Sequence, residues 1–152
     1  MKFLLQLTIT AGRDERLKRE LEQLAADAPA RAEILGWTDR VPELLMTHHV
    51  VISKAGGATT QESINALCPM IVNQIVPGQE EGNWELLRRH GAGAFASTPD
   101  EIVRQLHAAF AYDAELWRQW RHGLRRLARP AAARDIASRV LAAPLQPASP
   151  AR

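Results

Sequence analysis

Cysteine is almost absent: Cys68 stands alone, so no intrachain disulfide can form. Pro69 and an apolar run follow it, the setting of a buried thiol, and a reducing compartment fits this usage. No run of about 18 apolar residues occurs, so no membrane-crossing helix is expected. The start, MKFLLQLTIT, is apolar but short, and no small-residue cleavage pattern follows a long enough apolar core. It reads as a first strand, and the protein as cytoplasmic. The formal net charge of +2 is too small to argue for nucleic acid, and none is expected as a partner. Neither GxGxxG nor GxxxxGK[ST] is present, which removes the dinucleotide fingerprint and the P-loop. No Asp-x-Asp pair or His/Cys cluster suits a metal, and no cofactor is expected. Internal repeats and low-complexity linkers are missing too.

What is present suits a globular domain. The chain has 152 residues, 46% hydrophobic and 24% charged, enough for one domain with its own core. Apolar runs at 3–10, 32–36, 49–53, 70–74 and 92–96 read as strands. Between them, helical spacing predicts helices over 14–26, 41–47, 59–67 and 79–90. In the first, Leu17, Leu21 and Leu24 share a face. Thr98-Pro99-Asp100-Glu101 opens another helix with a cap, a first-position Pro and a Glu three after the cap. That helix runs to about 110, and two more cover 113–128 and 131–142. Uninterrupted apolar strands alternating with helices mean an α/β fold: a Rossmann-like parallel sheet with helices on both faces. Residues 1–142 are taken as the domain and 143–152 as a frayed tail.

Three turns follow strands and precede helices, at 36–39, 53–60 and 76–83. In a doubly wound sheet such turns share the edge where ligands bind. In SKAGGATTQES, Lys54 and the backbone of 56–60 could hold a diphosphate, with Thr59 or Thr60 adding a hydroxyl. The competing reading is a tight turn at Gly56-Gly57 followed by a Thr59–Glu62 capping box. In IVPGQEEGNWELL, Gln79 and Asn83 lie four apart on one helical face, suited either to sugar hydroxyls or to solvent. Gly82 costs a helix roughly 1 kcal/mol against Ala, so something should require its small size. His48 and His49 open a strand and read as structural or exposed rather than catalytic. Arginines 118, 121, 125, 126, 129 and 134 make a local basic face. Leu116, Trp117, Trp120, Leu124 and Leu127 form an apolar stripe beside them. That stripe suits packing on its own domain, or docking on another domain or an anionic membrane surface.

KAGGATTQES followed by ALCPMIVNQIVPGQEEGNWELLRRHGAGA resembles the GT-B glycosyltransferases of family 28, which make mono- and diglycosyl diacylglycerols. ITAGRDERLKREL is similar to that family's earlier strand–helix turn, and the likeness covers about residues 4–110. The resemblance implies the UDP-sugar-binding, C-terminal half of a GT-B fold. Glu62 would bind the ribose hydroxyls. Gly56, Gly57 and Thr59 would line the diphosphate. Gln79 and Glu80 would meet the sugar, with Asn83 supporting that turn, and the backbone near Trp37 and Thr38 would face uracil. Lys54 belongs to the motif without an assigned contact.

Against that pattern, the half that binds the acceptor lipid and supplies the base has no counterpart here. Nor do the first strand and glycine loop of the donor half. No residue is therefore assigned as catalytic base. The expected function is the donor half of a hexosyltransferase acting on a lipid acceptor, not active as this chain alone. Its partners would be a UDP-sugar and an acceptor domain or partner chain, with a peripheral membrane contact. The alternatives are a stand-alone donor-binding subunit, an inactive fragment and a non-catalytic nucleotide-binding module. A parallel sheet lacking a strand would expose unpaired backbone, so poor solubility alone or an obligate partner is expected.

Overall fold

The computed structural model describes residues 5–28 and 31–143. The chain folds as two compact units, Met1–Leu44 and Leu45–Arg152. The expected tail lies outside the described residues except for Ala143, as do the first two residues of the expected strand at 3–10.

The first unit is a β–α–β turn of chain: β1 (Gln6–Thr10), α1 (Glu15–Ala26) and β2 (Arg31–Leu35). The strands pair in parallel, with Gln6 opposite Arg31 and Thr10 opposite Leu35. Asp14 starts α1 by accepting from the N–H groups of Arg16 and Leu17, at 3.1 and 2.9 Å, which satisfies two donors that the first turn leaves over. The Leu17–Leu21–Leu24 stripe forms as predicted but is not buried; Leu17 is 42% and Leu24 70% exposed.

The chain passes through α2 (Val41–Thr47) into the second unit. There follow β3 (Val51–Ser53), α3 (Gly57–Ala66), β4 (Met70–Val72), α4 (Glu81–Arg89), β5 (Gly93–Phe95), α5 (Pro99–Leu127) and α6 (Ala132–Ala142). The order in this sheet is β3-β4-β5, all parallel. The predicted alternation of parallel strands and helices is thus present, hydrogen-bonded as a two-stranded and a three-stranded sheet.

Strand β4 sits between two layers, and its three residues are fully buried. Successive side chains of a strand point to opposite faces. Met70 and Val72 accordingly join Ile64 of α3, Leu87 of α4 and Leu124 of α5 in one core cluster. Ile71 joins Ala96, Ala109 and Trp120 in another. Burial on both faces is what an uninterrupted Met-Ile-Val run can tolerate.

Helix α5 begins as predicted, with Thr98 Oγ1 accepting from Glu101 N–H and Glu101 Oε2 accepting from Thr98 N–H. It is interrupted at residues 111–114: Ala111 is extended, and Tyr112, Asp113 and Ala114 have φ of 45, 58 and 57°. The break falls in the gap expected between two helices. Beyond it, Trp120 and Leu124 are buried in the two core clusters, so the apolar stripe packs on its own unit. The basic face is partly absorbed. Arg121 Nε donates to Leu67 O at 3.2 Å and Arg126 Nη2 to His90 O at 3.0 Å, satisfying carbonyls where α3 and α4 end. His49 is exposed, with its ring 5.9 Å from that of Phe110 and 5.5 Å from that of Trp117. Its carbonyl accepts from Trp117 Nε1 at 2.8 Å.

Candidate functional site

The stretch between β3 and α3 is short and tightly specified. Strand β3 ends at Ser53, and Ala55 N–H donates to Gln74 O at 3.0 Å, which holds the chain against the segment after β4. Ala55 is fully buried. Gly56 is the N-cap in an extended conformation, and Thr60 N–H returns to its carbonyl at 2.9 Å. Helix α3 therefore starts at Gly57, two residues before the predicted start at Thr59. The Thr59–Glu62 capping box does not form. No side chain caps this helix, so its first N–H groups and the positive end of its dipole are left to solvent or a ligand.

The second loop, after β4, lies beside the first. Pro77 and Gly78 make a tight turn closed by Gln79 N–H to Val76 O at 3.2 Å, and Gly78 has φ +78°, a conformation natural to glycine. The turn drives Glu80 inward to 4% exposure. Its Oε2 accepts from Val76 N–H at 3.0 Å and its Oε1 pairs with Lys54 Nζ. These two donors hold the Glu80 carboxyl below the usual carboxylate range, Lys54 first and the Val76 backbone second. Asn83 completes the junction by donating from Nδ2 to Ala55 O at 2.8 Å.

At Gly56 a side chain would crowd the ion pair. A Cβ there would stand 3.2 Å from Lys54 Nζ and 3.7 Å from Glu80 Oε1. Gly82 is different: a Cβ would meet nothing within 4 Å, so none of the described residues demands its small size.

Of the predicted site residues, Gly56, Gly57, Thr59, Thr60, Glu62, Gln79, Glu80 and Asn83 lie on these two loops and the helices they open. Gln79 and Glu62 are exposed, and Thr59 is half-buried. Gln79 lies in the turn rather than on a helix, because α4 starts at Glu81. Thr60 is fully buried and its Oγ1 has no hydrogen-bond partner. Trp37 and Thr38 belong to the first unit. There Arg13 stacks over the Trp37 ring at 5.8 Å, and Thr38 Oγ1 accepts from Arg40 N–H at 3.1 Å. The Lys54–Glu80 pair escaped the sequence reading because its partners are 26 residues apart. A groove lined by His90, Leu116, Trp120 and Arg126 shares no residue with these loops.

Comparison with known proteins gives this junction a context. No protein-family model matches the chain. Monogalactosyldiacylglycerol synthase 2 of Arabidopsis thaliana is 30% identical over 131 residues, 86% of this chain and 28% of that protein. A processive diacylglycerol β-glucosyltransferase of Bacillus cereus is 29% identical over 138 residues, 91% of this chain and 35% of that protein. The chain is a homologue of these family 28 glycosyltransferases. It spans about a third of the length of the curated relatives it matches, and the match falls in their C-terminal part. Among solved structures, MurG of Acinetobacter baumannii superposes with a TM-score of 0.70 at 19% identity, over 91% of this chain and 42% of that one. The kitacinnamycin glycosyltransferase superposes with a TM-score of 0.56 at 19% identity, over 89% and 43%. The fold is that of a GT-B glycosyltransferase, as the family resemblance implied. Among the described residues no helix is long and apolar enough to cross a membrane.

Proposed function

We propose that this chain is the donor-binding half of a hexosyltransferase that passes a sugar from a UDP-sugar to a diacylglycerol-type lipid. The observation that carries this reading is the Asn83–Ala55 and Lys54–Glu80 junction of two loops, in a homologue of diacylglycerol galactosyl- and glucosyltransferases. Those loops surround an uncapped helix start, and such a start favours anions.

In this reading the diphosphate lies on the N-terminus of α3, over Gly56 and Gly57, with Thr59 adding its hydroxyl. The buried Thr60 is a packing residue. Glu62, exposed on α3, takes the ribose hydroxyls, and Gln79 meets the sugar. Glu80 acts from beneath, through the loop it holds. The transfer is a direct displacement. An acceptor hydroxyl oxygen forms the new bond to the anomeric carbon as the bond from that carbon to UDP breaks. UDP leaves with the electron pair, and a base takes the hydroxyl proton. The acceptor site and base belong to another domain or chain, with contact to the membrane surface, so this chain alone binds donor without transferring sugar. Charge growing on UDP is met by backbone N–H groups and the helix end, which is how such sites lower a barrier.

Calorimetric titration tests the reading. UDP should bind, NAD should not, and Glu62→Ala should weaken UDP sharply. A folded chain that ignores UDP would instead be a remnant or a module for some other ligand.

A further inference from the structure

Lys54 enters the function described so far only as the partner of Glu80 in the junction of the two loops. Its side chain is 54% exposed, while its partner Glu80 is 6% exposed. A buried carboxylate needs a compensating charge, and Glu80 already has one fixed neighbour in the Val76 N–H. A free lysine samples many rotamers on its four-carbon stem, and ordering it costs conformational entropy. Here that ordering has been done by the fold. The ammonium lies over Gly56, so close that a Cβ at that position would stand 3.2 Å away. Gly56 is the N-cap of α3, so a fixed positive charge and the positive helix end meet at one residue. An ammonium has three donors, and the ion pair with Glu80 occupies one.

We propose that Lys54 binds the diphosphate of the nucleotide donor and that Glu80 is the positioning residue that fixes it there. This rests on the donor-site reading above and gives the lysine of its loop junction a ligand contact. The pair also explains why two loops 26 residues apart in sequence are joined by charge as well as by the Asn83–Ala55 hydrogen bond. A lysine that only neutralised Glu80 would, when replaced, weaken ligands with and without phosphates alike.

The test compares UDP with uridine, which lacks the phosphates. Each is titrated calorimetrically into wild type, Lys54→Met, Lys54→Arg, Glu80→Gln and the double variant Lys54→Met/Glu80→Gln. Thermal melts of all five proteins run beside the titrations. Lys54→Met should weaken UDP by roughly ten- to a hundredfold, the range of one charge-assisted hydrogen bond, and leave uridine within about twofold. Lys54→Arg should retain most of the UDP affinity. Glu80→Gln should lower the UDP-to-uridine ratio in the same direction by less. Lys54→Met leaves a buried carboxylate unpaired and could unfold. The double variant removes both charges, and it should melt near wild type yet still discriminate poorly. A folded single or double variant that keeps the wild-type ratio overturns the proposal, as does equal loss on both ligands. A folded wild type that binds uridine and UDP equally overturns the Lys54 role while sparing a nucleoside site. A folded wild type that binds neither overturns the donor reading with it.

Discussion

Asn83 donates from Nδ2 to the carbonyl of Ala55 at 2.8 Å, which ties the first turn of α4 to the loop that opens α3. Ala55 is fully buried, so its carbonyl has little access to water as a substitute. Asn83→Ala should cost about 1–3 kcal/mol, the penalty for a buried acceptor left unpaired. It should weaken UDP as well, because the two loops then move independently. Urea unfolding and calorimetry on the same preparation check both effects.

Thr60 separates packing from binding. Its Oγ1 is buried without a partner, so Thr60→Val exchanges an unsatisfied hydroxyl for a methyl of similar shape. Stability should stay level or rise, and UDP affinity should not change. A loss of UDP affinity in this variant would move the hydroxyl contact from Thr59 to Thr60.

Two glycines should respond in opposite directions to alanine. At Gly123 a Cβ would lie 2.3 Å from His90 O and 2.8 Å from Gly91 O, backbone atoms that cannot swing aside. Gly123→Ala should therefore destabilise by at least about 1–3 kcal/mol, as overpacking does. At Gly82 the space is open, and Gly82→Ala should stabilise α4 by up to about 1 kcal/mol. Thermal melts should move down for the first and up for the second.

Acid should erode one surface network in a defined window. Arg88 and then Arg89 hold the Glu85 carboxyl down at about 2, against an ordinary value of 4.5. A depressed folded-state value stabilises the fold above the unfolded value and loses that contribution as pH falls through the folded one. Glu85→Gln should thus be less stable than wild type at neutral pH. The gap should close between pH 4.5 and about 2, as followed by chemical unfolding at each pH. A gap constant across that window would assign the effect to packing instead.

Local chemistry was readable wherever the partners are near in sequence. The Thr98–Glu101 box spans four residues, and its hydrogen bonds need nothing from elsewhere. The Pro77-Gly78 turn is equally self-contained, as is the alternation of apolar strands with helices. The start of α3 shows where such reasoning failed. Thr59 and Glu62 have the right spacing for a cap, but Ala55 is bound to Gln74 and the helix starts earlier, at Gly57 after its N-cap Gly56. A long-range hydrogen bond overruled a good local signal.

The amino-acid order alone thus settles the parallel α/β class, most element positions and the family likeness of the two glycine-bearing loops. Each depends on periodicity, turn chemistry or motif, all written in consecutive residues. Folding in three dimensions settles the rest: which carboxylate is buried, which lysine compensates it, and which threonine is turned into the core. Burial and charge pairing depend on neighbours brought from far along the chain. Lys54 meets Glu80 across 26 residues and Arg121 meets Leu67 across 54, and no local pattern encodes either contact.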